Sequence, residues 1–205
     1  MKVSEVWVVD DDDSIRWVLK KAFLKSSINV RLFGNAVELL KVANELEPEV
    51  VVSDIKMPEV DGLSLLKQLK NIHPSLPIII MTAYADLDKA VESFSSGAFE
   101  YLPKPFDIDE MLRMVKRAKR KRIDNDTIDE PKTEFDHREE IVGSSPAMQS
   151  VFRIIGRLSS NDMTVLITGE SGTGKEIVAR SLHKHSPRKN GPLIAINAAA
   201  IPQDL

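Results

Sequence analysis

No cysteine occurs in the 205 residues of this chain. Disulfide bonds, thiol catalysis and cysteine-ligated zinc are therefore excluded. A dominant charge is missing as well. The 28 Lys and Arg set against 31 Asp and Glu leave a formal net charge of -3, which gives no global attraction to nucleic acid or to an anionic membrane. No apolar run approaches the roughly 20 residues that span a bilayer. The N-terminus has no basic segment leading into an apolar stretch, so no secretory signal is visible and a cytoplasmic location is the expectation. Hydrophobic residues make up 42% and charged residues 29%, values usual for a globular chain. The length suits one large or two small domains.

What is present is a regular alternation. Apolar runs recur at residues 6–9, 30–33, 50–52, 78–81 and 100–102, as expected of strands that helices cover on both faces. Between them lie stripes at helical spacing: Ile15, Leu19, Ala22 and Phe23; Leu63, Leu66 and Leu69; Leu87, Ala90, Val91 and Phe94; Ile108, Met111, Leu112 and Val115. This alternation predicts an α/β fold, a (βα)5 doubly wound parallel sheet with right-handed crossovers, over residues 1–122. Lys116, Arg117, Lys119, Arg120, Lys121 and Arg122 close the fifth helix, where cations suit the negative end of the helix dipole. A nucleic-acid patch is the alternative reading of that run. Residues 123–138 are polar and lack apolar periodicity, which reads as a linker. A second region, 139–205, is expected to hold a helix with Met148, Val151, Phe152 and Ile155 on one stripe. A strand at 165–168, a helix through about His183 and a strand at 192–197 should follow.

Polar residues gather where the predicted strands stop. Asp10, Asp11, Asp12 and Asp13 follow the first strand, and Asp54 ends the third. Thr82 ends the fourth, and Lys104 follows the fifth. In open parallel sheets that edge is where ligands bind. Phosphoryl transfer to a carboxylate needs an exposed nucleophilic oxygen, which Asp54 supplies. It also needs a cation against the phosphoryl charge. Mg²⁺ is held by few carboxylates and accepts phosphate oxygens; part of Asp10–Asp13, with Asp54 and the backbone carbonyl of Lys56, would hold it. Thr82 and Lys104 can contact the remaining oxygens. Two registers are open for the adjacent acids, Asp10 with Asp11 or Asp11 with Asp12. Asp13 is the expected cap of the first helix.

On these residues, together with Met57-Pro58, Asp61-Gly62, Thr82-Ala83 and Lys104-Pro105, residues 1–122 resemble the receiver domain of a two-component response regulator. The resemblance implies that Asp54 accepts a phosphoryl group from a sensor histidine kinase. It makes Thr82 and Tyr101 a switch pair whose ring turns inward, has Lys104 pair with the phosphate, and implies self-association through this domain. The Lys104–Pro105 bond is a candidate cis peptide.

A second motif follows the predicted strand at 165–168. Gly169, Glu170, Ser171, Gly172, Thr173, Gly174 and Lys175 fit the phosphate loop G-x-x-x-x-G-K. Its N–H groups would face phosphate oxygens, and the next helix would add its positive end. The usual hydroxyl residue after the lysine is replaced by Glu176, so Mg²⁺ would have to be coordinated differently. This stretch and Ile141-Val-Gly-Ser-Ser-Pro-Ala-Met148 resemble AAA+ activators of the sigma-54 factor, in which Glu at that position is usual. The family resemblance extends over nearly the whole chain. It implies ATP binding and control of nitrogen metabolism through a nitrogen-sensing kinase. It also implies contacts with sigma-54 RNA polymerase and DNA through regions outside these 205 residues. The chain is expected to be the N-terminal part of such a protein, with a truncated ATPase region and little ATP turnover of its own. The rival readings are a P-loop ATPase under a regulatory cap and a receiver-only interaction module. His183 and His185 face different directions and make a poor metal pair. His73 is expected at the surface, and Trp7 and Trp17 in packing roles.

Overall fold

The computed structural model describes residues 2–83, 87–124 and 145–196. Five strands, β1 (Val6–Val9), β2 (Val30–Phe33), β3 (Val50–Asp54), β4 (Ile78–Thr82) and β5 (Glu100–Pro103), form one sheet. Their order is β2-β1-β3-β4-β5, and every pairing is parallel. Helices α1 (Asp13–Lys25), α2 (Ala36–Ala43), α3 (Gly62–Ile72), α4 (Leu87–Ser95) and α5 (Ile108–Asp124) make the crossovers. Two more helices follow, α6 (Pro146–Leu158) and α7 (Lys175–Lys184).

Every residue of β1, β3 and β4 is buried, which explains their unbroken apolar runs. Alternation along the strands divides the core in two. Trp7, Val9, Val51, Ile78, Ile80 and Tyr101 share one cluster with Leu39 of α2, Leu65, Leu66 and Leu69 of α3, and Val91 of α4. Val6, Val8, Val52, Ile79, Met81 and Leu102 share the other with Leu19 and Phe23 of α1 and Met111 and Val115 of α5. Full burial of each leucine contributes about 2 kcal/mol. The edge strand β2 is only partly covered.

Capping sets the helix starts. Asn35 Oδ1 accepts from the Glu38 N–H, and Asp61 Oδ1 from the Ser64 N–H. The cap of α1 is Asp12, not the expected Asp13: Asp12 has an extended backbone and its Oδ1 accepts from the Ser14 N–H at 2.8 Å. Asp13 is already helical, and its carboxylate turns to Arg16. Trp17, expected in a packing role, is 59% exposed beneath the Lys21 ammonium. It lies about 200° around the helix from both Ile15 and Leu19, which fixes it on the outer face. His73 is half-buried and tied to the Ala43 carbonyl at 2.8 Å rather than free at the surface.

Ser145 caps α6 with Pro146 in its first turn. Phe152 and Ile155 enter the cluster that holds Leu87, Ala90 and Val91, so α6 lies against α4. Gly156 permits this approach: a Cβ there would sit 2.7 Å from Phe94 Cδ2 and 3.3 Å from the Ala90 backbone. The strands expected at 165–168 and 192–197 do not form among the described residues, which end at 196 in that segment. Among the described residues no strand lies beside either segment, and a lone extended segment has no ladder to satisfy its backbone groups. Leu166 is 87% exposed as a result. The helix α5 runs to Asp124, two residues past the expected boundary; the rest of the expected linker lies outside the described residues.

Candidate functional site

The register of the sheet converges the polar strand ends. Val9 pairs with Ser53, Asp54 with Met81, and Thr82 with Pro103. The residues one step further along, Asp10, Asp54, Thr82 and Lys104, therefore line one edge of four adjacent strands. Lys104 Nζ donates to Asp10 Oδ2 at 2.8 Å and lies 2.6 Å from Asp54 Oδ1. The Lys104 backbone N–H donates to the Thr82 carbonyl at 2.6 Å, and the Lys104–Pro105 bond is cis. Asp10 is further fixed: its Oδ1 accepts from the Asp12 N–H at 3.0 Å, and its carbonyl accepts from Arg16.

Burial is nearly complete for Asp10 and Asp54. It pushes the Asp54 carboxyl above its ordinary value, against the pull of the Lys104 ammonium and the Lys56 backbone N–H; the Asp10 charge adds to the rise. Burial alone would lower Lys104, but its hydrogen bonds to Asp10 and Asp54 and their charges outweigh it and raise the ammonium. Asp12 is held low by the Ser14 hydroxyl and N–H. Two buried carboxylates thus share one ammonium and leave one negative charge over. A hard divalent cation with oxygen preference fits that donor set, although among the described residues no three acids or histidines already stand as a metal cluster. Asp11 is exposed at the end of β1, and the Asp12 side chain is engaged as a cap.

Two neighbours complete this site, Gly62, already part of the Asp61-Gly62 motif, and Arg16, which sequence reasoning passed over. Gly62 brings the start of α3 onto the end of β3, where an added Cβ would lie 2.1 Å from the Asp54 carbonyl oxygen. Arg16 gave no signal because its target is a backbone carbonyl. Tyr101 is fully buried, in the cluster that also contains Val91 and Phe152.

The glycine loop lies apart, ahead of α7. Gly172 and Gly174 have φ of 79° and 85°, a region that residues with a Cβ avoid. Thr173 Oγ1 donates to the Glu170 carbonyl at 2.8 Å, and Lys175 Nζ donates to the Gly169 and Glu170 carbonyls at 2.9 and 2.5 Å. The helix start has no side-chain cap. An ammonium held by loop carbonyls at an uncapped helix start fits a phosphate chain. Ser171 is exposed, and Glu176 turns away to Arg180 at 2.7 Å.

Comparison with known families agrees with this geometry. The response regulator receiver domain matches residues 6–116, and the sigma-54 interaction domain matches residues 141–205. The chain belongs to the response regulators with a receiver domain, followed here by the start of a sigma-54 interaction domain, a family that implies ATP binding. Within that class it resembles the N-terminal part of the DNA-binding transcriptional regulator NtrC. It is 54% identical to NtrC of Escherichia coli K12 across 98% of this chain and 42% of that protein. It is 43% identical to NtrC of Azospirillum brasilense across 100% of this chain and 43% of that protein. The chain thus spans about two-fifths of the length of the curated relatives it matches. The apo receiver domain of nitrogen regulatory protein C superposes with a TM-score of 0.52 at 54% identity, over 58% of this chain and 95% of that one. NtrX from Brucella abortus in complex with ATP superposes with a TM-score of 0.54 at 32% identity, over 97% of this chain and 44% of that one. No helix among the described residues is long and apolar enough to cross a membrane.

Proposed function

We propose that Asp54 is the phosphoacceptor of a nitrogen-responsive regulator and that its modification controls a sigma-54 activator. The Lys104 ammonium shared between Asp10 and Asp54 is the observation that carries this reading. A carboxylate oxygen of Asp54 attacks the phosphorus of a phosphohistidine on a partner kinase. The P–N bond breaks as the O–P bond forms, and the imidazole nitrogen leaves with the bonding pair. Lys104 faces the charge of the transferred group and restrains it. Thr82, at the end of β4, offers a hydroxyl to a phosphoryl oxygen, and Tyr101 relays the change to α4. Asp10, Asp11, Asp54 and the Lys56 carbonyl would hold Mg²⁺. This register is favoured over Asp11 with Asp12 because the Asp12 carboxylate is committed to α1. When bound, the ion supplies positive charge opposite the phosphoryl oxygens.

The domain division of this reading is 1–122 receiver, 123–138 linker and 139–205 the opening portion of the AAA+ unit. Residues 169–176 would cradle ATP phosphates, with Lys175 exchanging its loop carbonyls for them. For the whole protein we extend the relatives' role, DNA-binding regulation with sigma-54 polymerase as target, a nitrogen-sensing kinase as donor, receiver self-association and a cytoplasmic location. The test is labelling with acetyl phosphate. One Mg²⁺-dependent, base-labile acyl phosphate is expected, absent in Asp54→Asn. Undiminished labelling of that variant defeats the proposal.

A further inference from the structure

The cleft between α5 and α6 carries more positive charge than its acids balance. It is an open cleft of about 410 Å³. Arg113 and Arg117 line it from α5, Arg153 and Arg157 from α6. Each pair is spaced i,i+4 and so sits on one side of its helix. Two carboxylates face the four guanidinium groups. Glu100, buried at the start of β5, accepts from both Arg117 and Arg157 through the same oxygen, Oε2. Glu110 Oε1 accepts from Arg153 Nη1 at 2.8 Å. Arg113 has no ion-pair partner among the described residues. Two positive charges are left over, and their shared field favours entry of an anion.

The guanidinium groups are also arranged for such an anion. Arg117 stacks on Phe99 at 5.3 Å and Arg157 on Phe94 at 5.7 Å. Stacking occupies the flat face of a guanidinium and leaves its N–H edges available. Each arginine has five N–H donors, and the shared Glu100 oxygen engages few of them. Guanidinium forks match phosphate oxygens two at a time, and the volume lies in the range of small-molecule sites. A simple interdomain ion pair would need Glu100 and its two arginines only; it leaves Arg113 and the excess charge unexplained.

We propose that this cleft binds an oligophosphate, a small anion with two or more linked phosphate groups, and that the bound anion ties α5 to α6. The test is calorimetric titration of inorganic pyrophosphate into the 205-residue chain carrying Lys175→Ala, without metal and at fixed ionic strength. This background disables the glycine loop. One saturable site is expected, weakened tenfold or more by the further change Arg113→Gln. Arg113 is exposed and unpaired among the described residues, so its replacement leaves the fold intact, as far-ultraviolet circular dichroism would verify. Three results would each overturn the proposal: no saturable binding at millimolar pyrophosphate, unchanged affinity in Arg113→Gln, or equal affinity for succinate.

Discussion

Replacing Lys104 by Met removes the one ammonium that two buried carboxylates share. The Asp10 and Asp54 side chains are 1% and 7% exposed and lie 2.8 and 2.6 Å from it. Breaking a buried pair by deleting one partner costs about 3–5 kcal/mol. The Lys104 side chain is itself 17% exposed, so water reaches this edge and the lower end, about 3 kcal/mol, applies. With a urea m-value of roughly 2 kcal/mol/M, the unfolding midpoint should fall by about 1.5 M at pH 7 in metal-free buffer. Trp7, fully buried, reports the transition once exposed Trp17 is replaced by Phe. The pH dependence has a definite sign. Burial already raises Asp54, and loss of the ammonium raises it further. An acid raised in the folded state contributes stability that is present below its unfolded value, about 3.9, and is lost as pH rises through its folded value. The deficit of the variant must therefore shrink between pH 7 and pH 4.5. A midpoint within 0.3 M of the parent at pH 7 (roughly 0.6 kcal/mol at that m-value), or a deficit that grows on acidification, would refute the reasoning.

Gly62→Ala should cost about 3 kcal/mol or more and slow acetyl phosphate labelling, because the new Cβ meets the Asp54 carbonyl at 2.1 Å; urea unfolding and a labelling time course check both. Asp11→Asn should weaken Mg²⁺ binding about tenfold by titration calorimetry, since each carboxylate donor matters to so sparse a ligand set, whereas Asp12→Asn keeps the cap and should leave the affinity near that of the parent. Gly156→Ala improves the intrinsic helix propensity of α6 by about 1 kcal/mol yet collides with Phe94. Hydrogen exchange should consequently speed up across α6, and unchanged protection there would show that the close approach to α4 is unimportant.

The parts of this molecule that could be read from sequence are those with a local cause. The strands β1, β3 and β4 are apolar on both faces, and the convergence of Asp10, Asp54, Thr82 and Lys104 follows from parallel strands ending at one edge. Trp17 failed because an aromatic residue signals burial only when its helical phase agrees, and its phase opposes Leu19. The segments at 165–168 and 192–196 have strand composition, but composition does not supply a neighbouring strand. Asp12 and Asp13 are chemically identical, so only the backbone turn into α1 tells the cap from the first helical residue. The Glu100 contacts were hidden by separation: its partners Arg117 and Arg157 lie 17 and 57 positions away.

The two-sided division of the sheet gives the proposed switch residue Tyr101 and the packing of α1 and α5 separate faces. Tyr101 and the strand residues of its cluster pack with α4 and α6, while Leu102 and its own neighbours hold α1 and α5. On the proposed role of Tyr101, substitutions beneath α1 are expected to erode how long the protein survives and leave its report alone, and substitutions around Tyr101 to retune the report.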